Sequence, residues 1–156
     1  MIPAKKIVCP TDFSEAASAA VQHARELAAH FGSELVLVNV VPVVPALPND
    51  PNWVLKIPEY EASLHADATQ NLRELAASIE AKGVCVRTVV GHGDAASEIV
   101  RIAQDEGADM IVIATHGHTG WRHVAFGSVA EKVVRRAQCP VLTYPVAAER
   151  HAVHQA

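Results

Sequence analysis

Short runs rich in Val, Ile and Leu alternate along the chain with segments in which apolar residues recur every three or four positions. The short runs are typical of strands that are buried on both faces of a parallel sheet. They predict five strands, at residues 6–9, 35–41, 84–90, 110–114 and 141–144. Pro10 ends the first of these runs, because proline cannot donate to a strand ladder.

The intervening segments have the apolar spacing of amphipathic helices. Gly32, Gly83 and Gly107 each follow such a segment, in the position that glycine commonly takes after a helix, and Asp94 is placed to cap the third helix. The pattern predicts helices at 14–31, up to residue 82, between Asp94 and Gly107, and at 128–137. Prolines at positions 42, 45, 48, 51 and 58 predict a long surface loop from Pro42 to Pro58, of the kind that often acts as a lid.

Strict alternation of strands and helices predicts an α/β fold of the Rossmann-like kind, an open five-stranded parallel sheet with helices on both faces. The 156 residues fit one domain, predicted over 1–146, with a loose tail at 147–156. Half of the residues are apolar but only 4% are aromatic, so aliphatic side chains must build the core.

Charge and targeting signals limit the possible partners and locations of the protein. The net charge is −4 and Lys and Arg are scattered, which argues against nucleic acid as a partner. Met1–Lys6 lacks the apolar core of a signal peptide, and Leu35–Val44 is too short to cross a bilayer, so we expect no membrane association and a cytoplasmic location. Cys9, Cys85 and Cys139 match no metal or redox spacing, and we interpret them as reduced core residues.

Two segments that follow predicted strands contain the candidate ligand-binding residues, since open parallel sheets bind ligands beyond the carboxyl ends of their strands. The first is Pro10, Thr11 and Asp12, up to Ser14. The second, from Ala114 to Ser128, joins a strand to a helix start. Its glycines and free N–H groups could enclose phosphate oxygens. It contains Thr115, His116, Gly117, His118, Gly120 and Gly127.

A purely structural interpretation of the same residues is equally open. The glycines could serve simply to form a turn. Ser128 and Glu131 have the spacing of a capping box, which needs no ligand. Asp12, just before Ser14 and Glu15, could merely cap the first helix. A capped helix start still offers N–H groups, so the two interpretations are compatible.

Neither a metal site nor catalytic residues are predicted. His116, His118 and His123 lie in the same loop, but no Cys or carboxylate there completes a metal-binding set. The Walker pattern, a Gly-x-Gly-x-x-Gly after the first strand and a Gly-x-Ser-x-Gly elbow are all absent from the sequence. The second segment also has no lysine and no arginine except Arg122 to neutralise a transferred phosphate.

The second segment resembles the nucleotide motif of the universal stress protein family, in which Gly, two residues, Gly and nine residues precede Gly-Ser or Gly-Thr. The matching residues are Ala114 to Gly117, His118 to Phe126, and Gly127-Ser128. Ala114 replaces the family's first glycine, and His118 stands where many relatives have arginine. Val129-Ala130-Glu131-Lys132-Val133-Val134 and Cys139-Pro140-Val141-Leu142 continue the resemblance, which covers nearly the whole chain.

The resemblance implies strand order 3-2-1-4-5 and a nucleotide between the first and fourth strands. Asp12 would lie by the ribose and adenine, and the main chain at Val40 would contact the adenine edge. Gly117, Gly127, Ser128 and Val129 would hold the phosphates. The implied ligand is ATP, with or without Mg²⁺, in a stress-response or signalling protein with little or no hydrolysis.

Two other functions stay open at this point: a weak ATP hydrolase, and a dimeric interaction module that binds no nucleotide. The resemblance also places Val141–Tyr144 at a sheet edge, where family members commonly form a homodimer.

Overall fold

The computed structural model describes residues 4–46, 51–115 and 127–145, in which strands and helices alternate. The strands are β1 (Lys6–Pro10), β2 (Glu34–Val41), β3 (Val86–His92), β4 (Met110–Ala114) and β5 (Val141–Tyr144). The helices are α1 (Glu15–Phe31), α2 (Pro51–Glu80), α3 (Ala95–Asp105) and α4 (Ser128–Arg136). The predicted tail lies outside the described residues.

The sheet has the order β3-β2-β1-β4-β5 with every pair parallel, so the predicted fold class is confirmed. β1 and β2 stay paired from Lys6–Glu34 to Pro10–Val38. Among the described residues, β1 and β4 pair only at Ile7–Met110 and Val8–Ile111. The two strands therefore part towards their carboxyl ends, and a crevice opens where the strand order reverses.

Both faces of the sheet are covered, because successive residues of a strand point to opposite sides. Ile7, Cys9 and Leu37 pack on one face with Ala24 of α1 and Leu72 of α2. The alternate strand residues pack on the other face with residues of α3 and α4. These are Val8, Val36, Val38, Ile111 and Ile113, with Ile99 and Ile102 from α3 and Val133 from α4.

The predicted loop from Pro42 to Pro58 is wrong in its second half, because α2 already begins at Pro51. Proline suits the first turn of a helix, where its missing N–H has no intrahelical partner. Pro58 lies inside the helix on an exposed position and removes one hydrogen bond. Two contacts of Trp53 support this first part of α2: within the helix its ring lies 5.9 Å from the Tyr60 ring, and its Nε1–H donates to the carbonyl of Pro45, which precedes the helix (3.1 Å).

The cysteines do not all belong to the core as predicted. Cys9 is buried and Cys139 is half-buried, but Cys85 is exposed. Neighbouring residues of an extended chain point to opposite sides, so the burial of Val84 turns Cys85 towards solvent. None of the helices in the described part of the chain combines the length and hydrophobicity needed to cross a membrane.

Candidate functional site

A cleft of about 820 Å³, open mouth included, lies at the carboxyl ends of β1, β2 and β4. The described residues of the predicted site all line it: Pro10, Thr11, Asp12, Val40, Ala114, Thr115, Gly127, Ser128 and Val129. The predicted site residues His116, Gly117, His118 and Gly120 lie outside the described residues. The cleft also has lining residues that the sequence did not single out as site residues: Ala17, Val38, Asn39, Ala95, Ile99, Ile113 and Ala130.

The turn after β1 holds Asp12 at the cleft. The side-chain oxygens of Thr11 and Asp12 accept hydrogen bonds from the N–H groups of Phe13 and Ser14, both at 3.0 Å. Ser14 is the N-cap of α1, and its Oγ accepts from Ala17 N–H (3.2 Å). The suggestion that Asp12 caps this helix is therefore wrong, and the exposed Asp12 side chain borders the cleft instead.

The main chain of Val40 faces the crevice. Val38 C=O accepts from Thr11 N–H (2.8 Å) on the β1 side of β2, and Val41 C=O accepts from Gly93 N–H (2.9 Å) on the β3 side. Because main-chain groups alternate in direction along a strand, the N–H and C=O of Val40 point to the same side as those of Val38. β1 has ended at Pro10, opposite Val38. Val40 thus directs one donor and one acceptor towards the cleft.

Asn39 is a site residue that sequence reasoning missed. Its Nδ2–H donates to the carbonyl of Thr11 (2.8 Å), so the end of β2 is tied to the turn that follows β1. The available signal was a single polar residue inside an apolar strand run. Buried polar groups are normally hydrogen-bonded, so such a residue indicates a partner at the strand end.

Main-chain hydrogen bonds hold Thr115 and Gly127, the described residues on either side of 116–126. Gly127 N–H donates to Thr115 C=O (2.6 Å), and Thr115 N–H donates to Tyr144 C=O (2.9 Å). Ala114 belongs to β4 and pairs with Tyr144. Phe13 is the one non-glycine residue with a positive φ within the described ranges, so Ala114 occupies a conformation open to alanine.

The start of α4 differs from the predicted capping box. The N-cap is Gly127, which has no side chain to cap the helix, and Ser128 is the first helical residue. Glu131 N–H donates to Gly127 C=O (3.0 Å), while the Glu131 carboxylate pairs with Arg135 (3.0 Å). The capping box is wrong because Ser128 lies one residue too late in the helix. Its exposed hydroxyl and the first turn of α4 border the cleft.

Asp94 caps α3 and immediately precedes Ala95, which lines the cleft. Its carboxylate accepts from the N–H and the hydroxyl of Ser97 (3.0 and 2.7 Å), and these bonds lower the pKa of Asp94 below its ordinary value. Over the residues that the structure describes, no three His, Cys, Asp or Glu side chains are grouped to hold a metal ion. The loop histidines of the metal hypothesis, including His123, lie outside these residues.

Comparisons with known proteins agree with this architecture. The model of the Universal stress protein family matches residues 3–145. Universal stress protein MJ0531 of Methanocaldococcus jannaschii is 39% identical over 140 residues, which cover 88% of this chain and 80% of the relative. The solved structure of MJ0577, from the same organism, is 30% identical with a TM-score of 0.78, covering 94% of this chain and 99% of that one. A universal stress protein solved in complex with cAMP is 22% identical with a TM-score of 0.65, covering 93% and 99%.

Proposed function

This chain belongs to the universal stress protein family, and from that premise we propose that it binds an adenine nucleotide in the cleft between β1 and β4. The physiological ligand in this proposal is ATP, with or without Mg²⁺. The observation that carries it is the start of α4, where Gly127 leaves the first turn without a side-chain cap and Ser128 borders the cleft. The N–H groups and dipole of a helix start favour phosphate.

The other parts of the cleft suit the remaining parts of a nucleotide. Val40 directs a main-chain donor and acceptor towards the cleft, a pair that complements the donor and acceptor edge of adenine. Ile99 and Ile113 supply apolar lining for the base, and the Asp12 carboxylate can accept hydrogen bonds from ribose hydroxyls. The proposal is supported by the solved cAMP complex of a universal stress protein with the same fold, which is 22% identical to this chain.

We propose binding rather than turnover as the activity, in a cytoplasmic stress-response or signalling protein. Phosphoryl transfer needs a group that positions the attacking nucleophile and cations that neutralise the transferred charge. Among the described residues that line the cleft, Asp12 is the single carboxylate and none is Lys or Arg. The proposal includes a homodimer formed through the β5 edge.

Titration calorimetry with ATP, in the presence and absence of Mg²⁺, tests the proposal on the wild type, Ser128→Ala and Ser63→Ala. A hydrogen bond to a charged phosphate predicts that Ser128→Ala binds ATP about ten-fold to a hundred-fold more weakly. Its melting temperature should match the wild type, because Ser128 does not cap the helix. Ser63→Ala makes the same chemical change on the exposed side of α2 and should bind like the wild type.

Two results would contradict the proposal. ATP affinity retained in folded Ser128→Ala would show that the Ser128 hydroxyl does not contact the phosphates. Absence of ATP binding to the wild type would favour the interaction module that binds no nucleotide.

A further inference from the structure

The fold brings one cation close to the cleft, and this could not be seen from its position in the sequence. Lys132 of α4 reaches across to Asp94, the N-cap of α3, with Nζ 4.0 Å from Oδ2. The sequence drew attention to Arg122 alone as a basic residue near the candidate phosphate segment. The folded chain adds Lys132, because α3 and α4 pack side by side on the same face of the sheet.

Lys132 lies about one helical turn after the cleft-lining Ser128. It follows Ser128 by four residues, so both lie on one helix face, about 6 Å apart along the axis. Side chains of a helix lean towards its N-terminus, which brings the Lys132 ammonium back towards the first turn. Asp94 immediately precedes Ala95, and both Ala95 and Ser128 line the cleft. The Lys132–Asp94 pair therefore lies close to the cleft-lining residues at the starts of α3 and α4.

Lys132 can easily exchange Asp94 for another partner. The paired atoms are at the limit of ion-pair distance, and the side chains of Lys132 and Asp94 are 49% and 54% exposed. Pairs of this kind contribute little to stability. Asp94 also has Ser97 as a hydrogen-bond donor, so its carboxylate stays bonded when Lys132 leaves. A phosphate chain at the start of α4 would offer the ammonium more negative charge than one carboxylate does.

On the basis of the proposed nucleotide site, we propose that Lys132 is a specificity residue that selects for the longer phosphate chain. It exchanges Asp94 for the β- and γ-phosphates of ATP, whereas the single phosphate of AMP is held by the first turn of α4 without it. Asp94 opposes this selection, because it competes for Lys132 and repels the added negative charge.

The test compares ATP and AMP affinities, by titration calorimetry at low and high salt, in the wild type and three variants. Lys132→Gln removes the charge. Asp94→Asn removes the competing carboxylate but keeps a residue that caps helices well. Arg135→Gln is the matched control, since it removes the same charge from a 75% exposed side chain of α4 that pairs with Glu131.

Lys132→Gln should weaken ATP about ten-fold at low salt and AMP about two-fold or less, with a smaller difference at high salt. Asp94→Asn should raise the preference for ATP over AMP, and Arg135→Gln should leave it unchanged. A structural role alone would lower both affinities together. Equal effects on ATP and AMP, or an equal effect of Arg135→Gln, would overturn this inference while nucleotide binding stands. A wild type that binds neither nucleotide would overturn both proposals.

Discussion

Phe13 holds the turn beside the cleft in a conformation that bulky residues rarely adopt. Its φ is +62°, in the left-handed region, which costs a side chain of this kind about 1–3 kcal/mol. The side-chain oxygens of Thr11 and Asp12 accept the two N–H groups of the turn, and the Phe13 ring packs against the core beneath α1. These contacts offset the strain, and together they fix the position of the Asp12 carboxylate at the candidate site.

The three cysteines should react with a thiol reagent in an order set by their burial. Burial raises the pKa of the Cys9 thiol to about 12 and also raises the pKa of Cys139, whereas Cys85 is exposed. Because the thiolate is the nucleophile, iodoacetamide at mildly alkaline pH should modify Cys85 first and Cys9 last. Peptide mass spectrometry over time measures this order.

Two controls make the cysteine experiment specific. Cys85→Ser should remove the fast reaction, and protein unfolded in urea should lose most of the difference between Cys85 and Cys9. Equally fast alkylation of Cys9 and Cys85 in the folded protein would contradict the burial pattern of β1.

At the scale of elements, four charged side chains join the strand starts at the end of the sheet opposite the cleft. Lys6 of β1 lies 3.5 Å from Glu34 and 3.3 Å from Glu106, the C-cap of α3. Arg87 of β3 lies 3.2 Å from Glu34 and also pairs with Glu106. Each cation contacts both carboxylates, so the cluster ties β1, β2, β3 and α3 together.

This cluster predicts a loss of stability in acid. Burial raises the pKa of Glu106, but hydrogen bonds from Arg87 and Lys6 outweigh it and hold the pKa below the ordinary value of 4.5. A carboxylate with a lowered pKa in the folded state stabilises the protein above its unfolded pKa, and this contribution disappears as the pH falls through the folded pKa. Glu106→Gln should therefore lower the free energy of unfolding by about 1 kcal/mol or less at neutral pH, and by a smaller amount in acid.

Urea unfolding of the wild type and Glu106→Gln at neutral pH and below pH 4.5 measures the difference. Glu80→Gln removes the same charge from the exposed end of α2 and is the matched control. A destabilisation by Glu106→Gln that is equally large at both pH values would contradict the ionic origin of the effect.

For the whole molecule, local patterns predicted the strands well and the precise roles of turn residues less well. The apolar runs of β2 and β4 are short and rich in β-branched residues, which favours buried strands, and their alternation with helices gave the fold class. The first part of α2 was missed because its prolines locally disfavour a helix. Contacts of Trp53 with Pro45 and Tyr60 support the helix there.

For the candidate site too, the location was predicted better than the roles of individual residues. The segments after β1 and β4 could be assigned to one edge of the sheet from topology, and their described site residues share a cleft with Val40 of β2. The capping box failed by one position, since the sequence spacing of Ser128 and Glu131 does not reveal that the helix cap is Gly127. Lys132 and Asp94 were not paired because their contact depends on how α3 packs against α4.

In the described part of the chain β5 is an edge strand of the sheet, and this edge is the surface through which we propose that two copies of the chain pair. Pro140 and Tyr144 accept hydrogen bonds from Ile111 and Thr115 through their carbonyls, so these residues direct their main chain towards β4. The alternation of a strand then turns the main-chain groups of Val141 and Thr143 outwards. Exposed apolar side chains lie on β5 and the neighbouring α4: Leu142 (45%), Val134 (46%) and Val129 (36%). An edge of this composition favours pairing with a second strand.

Thr143→Pro should weaken this dimer, because proline removes the outward N–H without breaking a bond to β4. Thr143→Val changes the side chain but keeps the N–H, so it should dimerise like the wild type. Light scattering over a range of protein concentrations measures the three dissociation constants, and melting curves confirm that each variant is folded. Monomeric wild type at high micromolar concentration would contradict the dimer. A folded Thr143→Pro variant that dimerises as tightly as Thr143→Val would instead place the interface away from the β5 edge.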